Sequence, residues 1–444
     1  ASNPILKVRI VRTGNIRRSR GDVISSVRAP VQAAAVDRPS AEPSPYRLSL
    51  CGVAITSALL PAYTVRWHYG PLPTTLLETS ILLTLLVFAF ESWHRGTGPE
   101  LRTPFTLPAA LFLLAGAISV LVAPDRRAAL GLYRAYLLEP IAFFFVAGFV
   151  VTSWSQARIV LAALGVAGIF VCVPNGFVVL QAIRHHTLNV AVAPPVVIYQ
   201  TANALALFVV PLIAVATSLL LYSDDRMART GSALFLVVAI PATLLSFSRG
   251  GYLALLGIAV LLALSHPRRI WLGAGTLLLA LAASRLPPVA SRISHELNLA
   301  DPNNSFVERT RLWGATLRML SEHPILGGGL SGFKRAVAPY RNGIYTEDLI
   351  YPHNIVLNFW TETGLLGLAA FAWLFFQALR TAWTGWRTGI QSWRPVQLGV
   401  LLAMVGLLIH GLVDVPYLKN DLSLEFWTLL ALSWAGRRLS ASSG

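Results

Sequence analysis

Residues 305–367 read SFVERTRLWGATLRMLSEHPILGGGLSGFKRAVAPYRNGIYTEDLIYPHNIVLNFWTETGLLG. The stretch is polar or mixed, yet long apolar runs lie on either side of it. It carries an Arg-rich amphipathic segment, a Gly cluster, and Pro352-His353-Asn354 where apolar sequence resumes. A connection this long with its own periodicity is more often functional than passive.

The runs around it set the class. The chain has 444 residues, 55% of them hydrophobic and only 13% charged. Soluble domains carry about 25% charged residues, so this is an integral membrane protein. The formal net charge of +16 points to cytoplasmic loops and anionic lipid head groups rather than to nucleic acid. Cys51 and Cys172 both lie in apolar runs, which predicts buried thiols and leaves no disulfide framework or Cys-based metal site.

Residues 1–47 form a basic tail with nine Lys or Arg, predicted to be mostly disordered and cytoplasmic, next to anionic lipid. Its start is too polar for a secretory signal. Runs near the ~20-residue bilayer length follow. They predict an all-α polytopic protein with twelve spans, at about 48–66, 72–92, 104–123, 130–152, 157–181, 199–222, 230–247, 250–265, 268–284, 353–380, 395–414 and 421–436. Residues 48–284 thus hold spans one to nine, 285–352 a long loop, 353–436 spans ten to twelve, and 437–444 a short C-terminal tail. With the N-terminus inside, inner loops and the C-terminal end hold twelve Lys or Arg against six in the short outer loops. That ratio predicts cytoplasmic termini. The loop 285–352 then lies outside and carries eight more Lys or Arg, which suggests an anionic ligand.

Several constellations collect on that outer face. Ser305 with Glu308 makes a capping box. On the helix that it starts, Phe306, Trp313, Leu317 and Leu320 form an apolar stripe. Arg309 is at the stripe's edge, while Arg311 and Arg318 point to the other side. His323-Pro324 through Lys334 contains Gly327-Gly328-Gly329. Such a turn can aim backbone N–H groups at phosphate, although a plain helix-ending turn is the favoured reading. Tyr351-Pro352-His353-Asn354 opens span ten, with Pro352 in the first turn and His353 at the helix N-terminus, where a neutral imidazole can accept a proton or orient a hydroxyl. Ser248 caps the helix after Ser248-Arg249-Gly250-Gly251, and an arginine there can hold an anion. His410 and Asp414 are one turn apart, a spacing that permits a hydrogen bond. Arg134, Glu139 and Glu362 are charges inside apolar runs, where such residues tend to be paired. His185 and His186 read as surface residues, and no HExxH or Asp-x-Asp is present.

In order and spacing these motifs resemble the O-antigen ligase and polymerase family of bacterial membrane glycosyltransferases. The resemblance rests on Ser248-Arg249-Gly250-Gly251, Arg309 to Trp313, His323 to Gly329, His353-Asn354, Glu362 to Gly367, and His410 with Asp414. Glu139-Pro140 and Thr201-Ala202-Asn203-Ala204 are weaker marks. It covers about residues 50–436 and is closest to the ligase branch. It implies a GT-C-like inner-membrane enzyme with both termini cytoplasmic and a periplasmic active site. The enzyme would move a glycan from undecaprenyl diphosphate to a lipid A–core sugar, without a metal or other cofactor. The acceptor in related branches is a growing polysaccharide or a protein. Arg249 and Arg309 are carried over as diphosphate clamps and His353 as base or hydroxyl-orienting group. Arg311, Asn354, Arg184, His410, Asp414 and Lys334 are expected as secondary contacts. A polytopic transporter or flippase is the rival reading. It is disfavoured because no internal repeat is visible and the Arg and His residues gather at one face.

Overall fold

The computed structural model describes residues 45–70, 72–188, 194–265, 269–285, 290, 294, 304–341 and 350–442. The expected basic tail falls almost wholly outside these residues, as do 286–289, 291–293, 295–303 and 342–349 of the long loop.

The described chain is helical apart from one hairpin, a small departure from the all-α expectation. Helix α1 (Arg47–Ala58) and a 3₁₀ turn (Leu60–Thr64) lead into β1 (Arg66–Tyr69), which pairs antiparallel with β2 (Leu72–Thr75), Arg66 opposite Thr75. Thr75 then caps α2 (Leu76–Arg95) by accepting from the Glu78 N–H. Next come α3 (Thr106–Val122), α4 (Arg126–Tyr133), a π-helical turn (Arg134–Leu138), α5 (Glu139–Val150), α6 (Trp154–Arg184), α7 (Ala202–Tyr222), α8 (Arg226–Leu244), α9 (Arg249–Ser265) and α10 (Arg269–Ser284). The long loop contributes α11 (Ser305–Glu322) and α12 (Phe333–Val337). The chain ends with α13 (Ile355–Thr388), α14 (Arg394–Gly411) and α15 (Asn420–Ser442).

A helix stands at each of the twelve expected span positions, the fourth being the continuous α4–α5 run. Seven segments among the described residues are long and apolar enough to cross a membrane: α2, α4–α5, α6, α7, α8, α13 and α14. Helix α7 is apolar all round and accordingly buried on nearly every side. Helices α2, α6 and α8 instead turn rows such as Leu82, Leu86, Phe90 and Leu234, Val237 outward, as a lipid-facing surface does. Cys172 is buried but Cys51 is exposed on the outer flank of α1, against the expectation of two buried thiols. Asp225 and Ser248 explain why α8 and α9 are separate from their neighbours. Asp225 accepts from the N–H groups of Met227 and Ala228 to start α8, and Ser248 Oγ accepts from Gly251 N to start α9.

Some of the charged groups in the apolar interior are paired with one another. In the π turn, Arg134 bridges Glu78 and Glu139 (3.1 Å to the latter) and donates to the Pro73 carbonyl. Asn420 Nδ2 donates 2.6 Å to the other Glu78 oxygen, so α2, the α4–α5 run and α15 are tied at one end of the bundle. π-Helical turns recur at functional positions, and this one sits at the same bundle end as the N-termini of α7, α9 and α13.

Candidate functional site

The glycine-rich segment of the long loop docks on α13 and does not project. Helix α13 breaks at Gly364 (φ +68°, ψ −174°), and the freed N–H of Leu365 donates 2.9 Å to the Ile325 carbonyl. Gly328 N donates 2.8 Å to Thr361 O, Leu330 N donates 2.9 Å to Ser119 Oγ, and Ser331 N donates 2.6 Å to Glu362 Oε2. Ser119 in turn donates to the Glu362 carbonyl. The N–H groups of Gly327, Gly328, Leu330, Ser331 and Gly332 are therefore held by the protein's own oxygens. The plain-turn reading holds, and Glu362 finds its partner here.

Helix α11 stands on this turn. Its N-cap is Asn304, whose Oδ1 accepts from Phe306 N and Val307 N. Ser305 is the first helical residue rather than the cap, which corrects the capping box by one position. The buried stripe is also shifted. Leu312, Ala315, Thr316, Met319 and Leu320 are covered, while Phe306 and Leu317 are about half exposed. The reason is that α11 packs on two sides at once, Leu312 and Ala315 against Phe333 and Val337, and Met319 and Leu320 against Leu357. Trp313 Nε1 donates 2.9 Å to the Pro352 carbonyl. Arg309, one turn earlier, is half-buried and lies close enough for its charge to bear on Tyr351, His410 and Asp414. Arg311 and Arg318 are exposed, and Arg318 Nη2 donates 3.0 Å to Tyr340 O.

At the start of α13 the sequence reading needs correction. Asn354, not Pro352, begins the helix. Its Oδ1 accepts from Val356 N and Leu357 N, and its Nδ2 donates 3.1 Å to Leu412 O. Asn354 is thus occupied as a cap and strut. His353 precedes the helix in the left-handed region at φ +50°, a conformation that costs a non-glycine residue about 1–3 kcal/mol and clusters at functional sites. Phe247 (φ +52°) just before Ser248-Arg249, and Ser331 (φ +61°) beside Glu362, share it.

That conformation brings His353 Nδ1 to 3.1 Å from Asp414 Oδ1. The expected His410–Asp414 pair does not form, because α14 ends at Gly411 and Asp414 falls in the turn beyond the helix. Val415 N donates 2.9 Å to the same Oδ1, and Asn203 Nδ2 from α7 donates 3.1 Å to Oδ2. Burial opposes ionisation of Asp414, but the hydrogen bond from His353 and the nearby His353, His410 and Arg309 charges outweigh it and hold the carboxyl down at about 2. An ionised carboxylate only accepts, so Nδ1 of His353 carries the proton and Nε2 is left for chemistry. Tyr351 stacks edge-on against the His353 ring at 4.7 Å. Burial first, then Asp414, pushes its phenol up to about 12, with Arg309 opposing.

His410 is buried beneath this pair, and its Nε2 has no hydrogen-bond partner. It lies against Gly250, where a Cβ would come 2.6 Å from Nε2. Only glycine allows α9, which begins with Arg249, to pass so close to the α14 end. Arg249, Arg309, His353, His410 and Asp414 therefore all belong to one end of the bundle, contributed by α9, α11, the approach to α13, and α14 with its following turn. Lys334, on α12, and Arg184, at the end of α6, are exposed, and among the described residues no hydrogen bond or ion pair joins Arg184 to this group. His185 and His186 are exposed, as expected. Sequence reasoning did not give Asn203 a role, since its partner is 211 residues away.

Residues 234–372 match the family model described as O-antigen ligase. That interval contains Arg249, Arg309 and His353 but ends before His410 and Asp414. The chain is also 28% identical over 147 residues to the O-antigen ligase of Salmonella typhimurium strain LT2. The alignment covers 30% of this chain and 36% of that protein, so it spans little more than a third of the relative's length.

Proposed function

We propose, from the premise that residues 234–372 form an O-antigen ligase family domain, that this protein is a membrane glycosyltransferase of the O-antigen ligase type. Its donor is a glycan on undecaprenyl diphosphate and its acceptor a lipid A–core hydroxyl. The reading includes the twelve-span GT-C-like topology, cytoplasmic termini in the inner membrane, and a periplasmic site. The observation that carries it is the His353–Asp414 pair beside Arg309.

The chemistry follows from those groups. The acceptor oxygen attacks the anomeric carbon while the bond from that carbon to the diphosphate oxygen breaks. The hydroxyl proton passes to His353 Nε2, and Asp414 stabilises the imidazolium through Nδ1–H. Undecaprenyl diphosphate leaves with an added charge at its terminal oxygen. Arg249 and Arg309 meet that charge with planar, multidentate donors, which Lys cannot reproduce. One displacement inverts the anomeric centre. Tyr351, neutral well past physiological pH, supplies a hydroxyl and a ring face next to the base. Lys334 and Arg311, both exposed, are secondary cationic contacts in this reading, and Arg184 is one on the strength of the resemblance alone.

The test is product identification. Purified protein in detergent receives lipid-linked glycan together with lipid A–core, a second lipid-linked repeat unit, or a Ser/Tyr peptide. Glycosylated lipid A–core is the expected product. Transfer only to the repeat unit or only to the peptide would reassign the acceptor. No transfer to any of them, with movement of lipid-linked glycan across sealed vesicles, would replace the enzyme by a transporter.

A further inference from the structure

Asp414 is held from two directions. Oδ1 faces His353 Nδ1 at 3.1 Å and Val415 N at 2.9 Å, and Oδ2 receives Asn203 Nδ2 at 3.1 Å. The carboxylate is only 3% exposed, so water is a poor substitute for any of these donors. Because Asp414 sits in the turn after α14 rather than in the helix, helical geometry does not fix its side chain. Rotation about the bond to the carboxylate would swing Oδ1 away from His353. Of the three donors only Asn203 grips the opposite oxygen, and it does so from α7, a largely buried helix. Asn203 is the second residue of α7, after the Thr201 cap whose Oγ1 accepts from Ala204 N, so the amide is presented by a rigid helical turn.

We propose that Asn203 is a positioning residue. By holding Asp414 Oδ2, its amide fixes the plane of the carboxylate, and through it the tautomer and direction of the His353 imidazole. The inference rests on the ligase reading for its meaning in catalysis. An amide suits the task because it donates without charge. A cation here would compete with His353 for the anion, and a carboxylate would repel it. The amide's NH₂ must face Asp414, since the other orientation would set two oxygens against each other.

The experiment compares Asn203→Ala, Asn203→Asp, Asp414→Asn and the Asn203→Ala/Asp414→Asn double variant, using full-length protein in detergent. Melting curves verify that each is folded, and the isosteric Asn203→Asp stands in if Asn203→Ala does not fold. Asn203→Ala should lower kcat about 10–100-fold, in line with the loss of a hydrogen bond to a charged group, with the KM for donor little changed. In the Asp414→Asn background the same change should add almost nothing, since Asn203 acts only through Asp414. Asn203→Asp should be nearly inactive at neutral pH and regain turnover as the pH falls, because the facing carboxyls then share a proton. A readout independent of transfer is the rate at which diethylpyrocarbonate modifies His353, followed by peptide mass spectrometry. Asn203→Ala and Asp414→Asn should change it alike.

Additive losses in the double variant, an effect on KM alone, no acid recovery in Asn203→Asp, or an unchanged His353 modification rate in Asn203→Ala would each overturn the assignment. A wild-type protein that transfers to no acceptor overturns the ligase reading instead, and leaves the modification rates to decide the fate of Asn203.

Discussion

Trp313 Nε1 donates 2.9 Å to the carbonyl of Pro352, so the helix that carries Arg309 is fastened to the residue just before His353. Arg309 and His353, the cation and base of the proposed mechanism, are therefore linked by a bond between their neighbours. Trp313→Phe keeps the ring but deletes the donor. A neutral hydrogen bond is worth about 1 kcal/mol, so kcat/KM should fall roughly 3–10-fold, with melting temperature nearly unchanged. Steady-state kinetics at wild-type level would mean that packing of α11 alone places Arg309.

Arg249→Lys and Arg309→Lys each keep a positive charge but lose the planar fork. Each should reduce transfer by about 10²-fold or more, by analogy with removal of one preorganised donor. Donor titration against each variant separates binding from turnover. Full activity in either enzyme would remove that arginine from the diphosphate.

His353→Ala should lose about 10²–10⁴ in kcat while donor affinity stays near wild type, because the arginines remain. EDTA should not inhibit the wild type. Inhibition that Mg²⁺ or Mn²⁺ reverses would require a metal on the diphosphate. Normal turnover with weakened donor binding in His353→Ala would move the imidazole from the acceptor hydroxyl to the donor.

Asp414 gives a pH signature. Its folded-state carboxyl is held at about 2, below the ordinary value of 3.8. A depressed carboxyl adds stability that is fully present above its ordinary value and is lost as the pH falls toward the folded one. The stability difference between wild type and Asp414→Asn should therefore be flat above about pH 5 and shrink between about pH 4 and 2. Melting temperatures across that range test it, and a gap that opens on acidification contradicts the assigned ionisation.

Gly364 is at φ +68° with the Ile325 carbonyl against its Cα. Gly364→Ala adds strain and a clash, and should destabilise the folded protein by about 1–3 kcal/mol. It should also loosen the Gly327–Gly332 turn, so limited proteolysis near Gly329 should accelerate. Proteolysis at the wild-type rate would show that the turn is held without the break in α13.

The sequence disclosed the apolar runs, and a helix stands at every one of them, because length and hydropathy are local properties. It also singled out Arg249, Arg309 and His353, which the structure brings to one end of the bundle beside Gly250, Trp313 and Asn354. It did not disclose which group His353 meets. The spacing of His410 and Asp414 suits a helix that continues, whereas α14 stops at Gly411, and the released Asp414 turns to a residue 61 positions away. Helix starts were misjudged as well, at Ser305, expected as the cap, and at Pro352, expected in the first turn. In each case a nearby asparagine, Asn304 or Asn354, is the N-cap.

The contact between Ser119 and Leu330 spans 211 residues, and that between Ser119 and Glu362 spans 243. Arg249 leaves the ribosome long before the α13 break and the Asp414 turn exist. Assembly is therefore ordered by synthesis: the early helices insert first, and the polar excursion stays undocked until α13 and the turn after α14 have arrived. A nascent chain stopped after α12 holds both arginines and yet lacks His353, Asp414 and a seat for the glycine turn, so on the proposed reading its site is complete only once the last helices have been made.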